Sequence, residues 1–312
     1  MFMLHKSSRL AIAVLACCTF IKPLHAAPDT GNAVTMHPYW QERGAEISVY
    51  ELSQHRYRDI HQGQLITVVV KEDFLTEKQV KNERYVDKKS TGVLKRIELR
   101  KYATGVYDYS TFSSVFTPTD RENFQRSLKV TSSVQEWCGV QFMQMNWRNN
   151  GYVGQQNSYF EQKGDKSLSL GNAVLEDELY NTIRMNPRFL PLGEFKIIPS
   201  LVVLQTQHHQ PRSYKAQATL TDYKGSEFVG KNLMVYQVKQ PEINRDLEIV
   251  FERAGPFKIV GWKDSYPSVS DKKVRSTVVR LTAQRKLEYW NLQSLKDRKL
   301  REELGIEALG ND

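Results

Sequence analysis

The sequence predicts a mainly β protein: long antiparallel curved sheets, half-barrel or sandwich-like, with one central helix and a C-terminal helix. Three observations carry this. Apolar and polar residues alternate over run after run of strand length. Turn-forming residues separate these runs at hairpin spacing, as at Asn149-Asn150-Gly151 and Ala254-Gly255-Pro256. Only two stretches show the spacing of an amphipathic helix. No Gly/Ser/Pro-rich linker divides the chain. Residues 39–312 therefore read as a single β-rich domain in two sheet halves, about 39–165 and 190–290, joined by a helix over 172–185.

The N-terminal residues 1–26 follow the plan of an export signal peptide. Lys6 and Arg9 precede the apolar run Leu10–Ile21, and small residues lead to a cleavage point after Ala26. The run is too short to span a bilayer, which takes about 20 residues. Leu15-Ala16-Cys17 competes as a lipoprotein signal in which Cys17 is acylated. The expected location is thus periplasmic or secreted, alternatively membrane-anchored through Cys17. Residues 27–38 form a polar lead-in without periodicity.

Ala45–Leu52 alternates as a half-buried strand, and a turn at Gln62-Gly63 introduces Gln64–Phe74, whose continuous apolar centre suits a strand covered on both faces. Gly92–Tyr102 and Val106–Thr117 follow. The longest strand-like run is Leu128–Trp147. Its even positions, from Val130 through Val134, Glu136 and Cys138 to Phe142, are expected to share one face. Tyr152–Gln162 returns after the Asn-Asn-Gly turn. The central helix is expected to begin at an Asn172 N-cap, with Glu176, Asp177 and Glu178 in its first turns, a Leu175, Leu179, Ile183 stripe, and a stop at Asn186-Pro187. Further strands are expected over Leu201–Gln207, Tyr214–Thr221, Leu233–Lys239, Leu247–Arg253, Phe257–Lys263 and Arg275–Trp290, with a closing helix over Leu292–Leu304.

The chain carries 44 Lys and Arg against 35 Asp and Glu, a net charge of +9 spread along its length. Nucleic-acid-binding proteins concentrate such charge on one face or run, so no nucleic-acid partner is expected. Contact with an anionic lipid or another envelope component suits an exported basic protein better. No later stretch is long and apolar enough for a transmembrane span.

Candidate chemistry is sparse. With the leader removed, Cys138 is the remaining cysteine, and its valine neighbours place it as a buried small hydrophobe rather than an activated thiol. Glu136 and Glu161 fall on strands expected to pair, where two carboxylates can serve a hydrolase; a core-facing Glu is more often neutralised by Arg or Lys. His208-His209 lacks the spacing of helical zinc ligands, so no metal site is expected, and no cofactor motif is present. Aromatic residues concentrate between Val106 and Gln162. Tyr107, Phe112, Trp137 and Tyr159 are the candidate lining of an apolar ligand groove. The leading expectation is a non-catalytic envelope protein that binds an apolar or envelope-derived ligand or partner. The alternatives are a hydrolase using Glu136 and Glu161, and a scaffold with no ligand.

Several blocks occur together: Tyr39-Trp40 before Gly44-Ala45-Glu46, then Glu72-Asp73-Phe74, Ser113-Ser114-Val115-Phe116-Thr117-Pro118, Ser133-Val134-Gln135-Glu136-Trp137-Cys138-Gly139 and Leu175-Glu176-Asp177-Glu178-Leu179. In these blocks the chain resembles a family of exported bacterial proteins of unknown activity, many of them lipoproteins, that carry the automatic label "septum formation inhibitor Maf". The resemblance implies export and no particular chemistry. True Maf proteins are cytosolic α/β nucleotide pyrophosphatases, and this chain has neither their pattern nor a Gly-rich phosphate loop. More distantly, the strand arrangement is similar to periplasmic half-barrel proteins that hold or ferry acyl chains.

Overall fold

The computed structural model describes residues 36–85 and 89–306. The expected leader, its cleavage point and Cys17 lie outside the described residues. The first run of strands is β1 (Ala45–Arg56), β2 (Asp59–Leu75), β3 (Val80–Lys81), β4 (Ser90–Thr104), β5 (Tyr107–Pro118), β6 (Lys129–Glu136), β7 (Gly139–Arg148), β8 (Gly151–Ser158) and β9 (Lys166–Leu170). Then come β10 (Val174–Leu175), α1 (Glu176–Met185), β11 (Gly193–Ile198) and α2 (Leu201–Thr206). The second run is β12 (Tyr214–Asp222), β13 (Leu233–Gln240), β14 (Arg245–Glu252), β15 (Ile259–Pro267) and β16 (Val274–Leu287), and α3 (Arg298–Glu303) ends the described chain.

Both runs belong to one curved sheet. Its strand order is β10-β11-β12-β13-β14-β15-β16-β1-β2-β4-β5-β6-β7-β8-β9, with β3 beside β2. Each run is a meander of neighbours, and β16 and β1 join the two from Ala45↔Leu287 to Ser53↔Val278. The edges β9 and β10 do not pair, so the sheet stays unclosed. What fills the hollow is α1, packed against β4, β5 and β15, and α2, packed against β5 and β6. The Leu179 and Ile183 stripe of α1 enters a core with Tyr50, Leu65, Ile249 and Trp262. On the outer face, Leu304 just past α3 packs on Ile47 and Val49.

Because α1 is enclosed by the sheet, all ten of its residues are buried, including the acidic side that would otherwise be solvated. Each charge then needs a partner. Glu176 is paired with Arg245, which also binds Asp264. Asp177 accepts from the Ser200 hydroxyl and the Leu201 amide, Glu178 from the Ser127 amide, and Arg184 is paired with Glu46.

Several local expectations are corrected. Leu128–Trp147 is two strands: Trp137-Cys138 forms a two-residue turn between the paired Glu136 and Gly139. The Glu136 carboxylate accepts from the Cys138 amide at 3.0 Å, which stabilises the reversal. The inward parity flips across it. Val130, Ser132 and Val134 are buried before the turn, and Gln141, Met143 and Met145 after it, leaving Val140 exposed. Gly63 lies inside β2, and the chain reverses earlier, at Tyr57-Arg58. A Cβ on Gly63 would stand 2.2 Å from the Lys101 carbonyl oxygen, so this glycine serves the close approach of β4 rather than a turn. Leu201–Thr206 is helical although Val202 and Val203 favour strand; its first amide is held by Asp177 and its apolar side docks into the core. Asn172 does not cap α1; its side chain bonds Arg126 and Asn150 instead. The C-terminal helix is shorter than expected, and 3-10 turns over 289–297 precede it. The Asn149-Asn150 turn is as expected, both residues having the positive φ that a tight hairpin requires.

Candidate functional site

Three reversals lie side by side at one end of the sheet: Gly105-Val106 between β4 and β5, Trp137-Cys138 between β6 and β7, and residues 159–165 between β8 and β9. Strand register places them there, since Thr104 pairs with Tyr107, Tyr109 with Glu136, and Gln141 with Ser158. These tips expose apolar side chains: Val106 is 85% exposed, Tyr159 78% and Trp137 71%. The Tyr107 and Trp137 rings stand 6.3 Å apart, and Tyr159 lies over Gly139 and meets Phe160 edge-on at 5.9 Å. Tyr107, Trp137 and Tyr159 are thus brought together as a rim. Phe112 is not part of it: Thr111 and Ser113 on either side face the core, so Phe112 lies on the outer face.

Behind the rim is a cavity of about 480 Å³ between the 160–166 segment and the 208–211 segment that follows α2. Phe160 and Leu168 give its apolar wall, and Lys163, Lys166, His208 and His209 its nitrogen-bearing wall. The location follows from how α2 ends. Its last carbonyls, on Gln205 and Thr206, accept from Lys163 and Arg56, cations placed where the helix dipole is negative. The Lys163 ammonium also donates to the Gln141 side-chain oxygen at 2.9 Å. His208 then takes a left-handed conformation, φ 59°, that turns the chain out of the helix.

The electrostatics are one-sided. Burial, and then the charge of Arg56, lowers Lys163 to about 8. Burial also lowers His208, to about 4, with Lys163, Arg56 and His209 all acting in the same direction. Beside the cavity, Arg56 donates to the Tyr109 hydroxyl at 3.1 Å, and Tyr107 donates to Tyr57 at 2.9 Å. Burial opposes ionisation of Tyr57, yet bonds from Tyr107, Tyr109 and Arg56 bring its phenol below the usual value.

Cys138 is corrected outright: it is exposed in its turn rather than buried. It is also not activated. The hydrogen bond with Glu136, and then the charge of Glu136, raises the thiol above its ordinary value. The expected pairing of the Glu136 and Glu161 strands is corrected too: β7 lies between β6 and β8, and β8 ends at Ser158, so Glu161 is exposed in the β8–β9 link at the cavity edge. Among the described residues, no three of His, Cys, Asp and Glu are grouped to hold a metal. Sequence reading missed Arg56, Tyr57, Lys163 and Lys166, and set His208-His209 aside. No local pattern marks them, because a helix end assembles them from β1, the β8–β9 link and the loop after α2.

The chain matches no family model, no curated protein and no solved structure.

Proposed function

We propose that this protein is a non-catalytic envelope protein whose aromatic rim docks on lipid. The observation that carries the reading is the clustering of Val106, Tyr107, Trp137 and Tyr159 on adjacent hairpin tips, directly in front of a cavity with a cationic wall. Trp and Tyr are the side chains that suit a membrane–water boundary, with an apolar body and a polar handle. The order of polarity, apolar at the tips and cationic behind, complements an amphiphile that enters head-first, seating its head at the cavity and leaving its tail against the tips. The basic net charge acts in the same direction. The hollow of the sheet is filled by α1 and α2, which places the reading at the rim rather than along a groove. Hydrolysis through Glu136 is disfavoured because the Cys138 amide already engages that carboxylate. Export and a place in the envelope remain part of the same proposal.

Vesicle co-sedimentation tests it. The protein should sediment with phospholipid vesicles, and Trp137→Ser combined with Tyr159→Ser should weaken binding by about tenfold or more, as the loss of ~1.4 kcal/mol would give. Both side chains are exposed, so the melting temperature should hold. A variant that binds vesicles as well as the parent removes the rim from the account.

A further inference from the structure

We propose that the cavity behind the rim is an anion site that seats the phosphate of a lipid headgroup between Lys163, Lys166, His208 and His209; this rests on the rim reading above. The lining contains one carboxylate, Glu161, and it is exposed. The charge that acts on both Lys163 and His208 from outside the lining is a further cation, Arg56, itself buried and fixed on the Thr206 carbonyl and the Tyr109 hydroxyl. Nothing else in the lining neutralises this group of nitrogens.

Lys163 is poised for a ligand. Its ammonium has three donors, of which two are taken by Gln205 and Gln141, leaving the third for an anion. The segment holding it is itself anchored, since the Gln156 side chain donates to the Lys163 carbonyl oxygen at 3.1 Å. The lowered values of Lys163 and His208 have the same origin, burial beside like charges, and a bound anion would relieve both. Phosphate fits the wall better than a carboxylate does, because its several acceptor oxygens can meet nitrogens from two segments at once. Phe160 connects the site to the membrane: it lines the cavity and touches Tyr159 of the rim, so one amphiphile can span both.

The test uses the mature protein and vesicles of phosphatidylcholine alone or mixed with phosphatidylglycerol. The parent should bind the mixed vesicles about tenfold more tightly. Lys166→Gln and Lys163→Met should each lose most of this preference. A control, Lys215→Gln with Lys239→Gln, removes two exposed lysines of β12 and β13 and should keep it. Lys166 is exposed, so its variant reads the site even where Lys163→Met unfolds. Equal binding to both vesicles overturns the headgroup assignment, and equal loss in the control overturns the site in favour of general surface charge. Binding to neither vesicle is the separate failure of the rim reading. Calorimetry with glycerol 1-phosphate then decides. Saturable heat that Lys166→Gln abolishes supports the anion site; where it comes without any preference for the mixed vesicles it assigns the site to a free phosphate ester and overturns the lipid source, and no heat overturns the site altogether. Where the mixed vesicles do bind, glycerol 1-phosphate should displace the protein from them only at concentrations well above the lipid's.

Discussion

Cys138 and Glu136 occupy one turn, and their chemistry is set by that turn rather than by a strand face. The carboxylate accepts from the Cys138 amide and stands beside the thiol, so it both fixes the reversal and discourages the thiolate. The native protein should therefore be labelled by a maleimide without denaturation, and Glu136→Gln should label several-fold faster at pH 8, the carboxylate charge being gone. Slow labelling that speeds up only in denaturant would return Cys138 to the core. The residue scale is where the sequence was least informative. An unbroken alternation from Leu128 to Phe142 hides the turn, because Glu-Trp-Cys-Gly contains one weak turn signal, Gly139, and because the parity flip leaves apolar residues on both sides. Trp137, expected to line a groove, is at the tip of a hairpin.

Among the elements, α1 shows what composition reveals and what only topology decides. Its apolar stripe was legible at i, i+4 spacing, and Leu179 and Ile183 are fully buried. That its acidic turn is buried as well was not legible, since the partners Arg245, Ser127 and Leu201 are distant in sequence. The same junction makes α2 helical against its β-branched residues. Asp177 carries the measurable consequence. Burial, and then the neighbouring Glu176 charge, raises its carboxyl from 3.8 to about 6, against the opposing bonds from Ser200 and Leu201. An acid raised on folding holds its proton more tightly in the native state. Its unfavourable contribution is absent below about pH 4, grows as the pH rises through 6, and then levels off at about 3 kcal/mol at most. Asp177→Asn keeps one acceptor and removes the charge. Its stability relative to the parent should rise between pH 4 and pH 7.5 by up to about 3 kcal/mol in urea unfolding. A difference independent of pH would mean that Asp177 is ionised at no cost.

At the scale of the whole molecule, the mainly β class and the hairpin rhythm were readable because they are local: period-two alternation, an Asn-Asn-Gly turn, an Ala-Gly-Pro turn. The pairing of β16 with β1, which makes two meanders one sheet, joins residues more than two hundred positions apart and leaves no mark in either strand. The same holds for the proposed site. Tyr107, Trp137 and Tyr159 stood out as aromatic residues, but their meeting at one end depends on strand register, and the cations behind them depend on where α2 stops. Curvature gives that end its form: the helices occupy the hollow, and successive hairpin tips remain to face outward. The most direct measurement is tryptophan quenching by lipids brominated along their acyl chains. Of the five tryptophans, Trp137 is the one at the rim, Trp40 and Trp262 are buried, Trp147 is half-buried at the opposite end of β7, and Trp290 sits past the far end of β16. Emission should fall when the protein meets brominated vesicles, and Trp137→Phe should still bind while losing most of the quenching. Unchanged emission, or quenching that survives in Trp137→Phe, would contradict lipid docking by the rim.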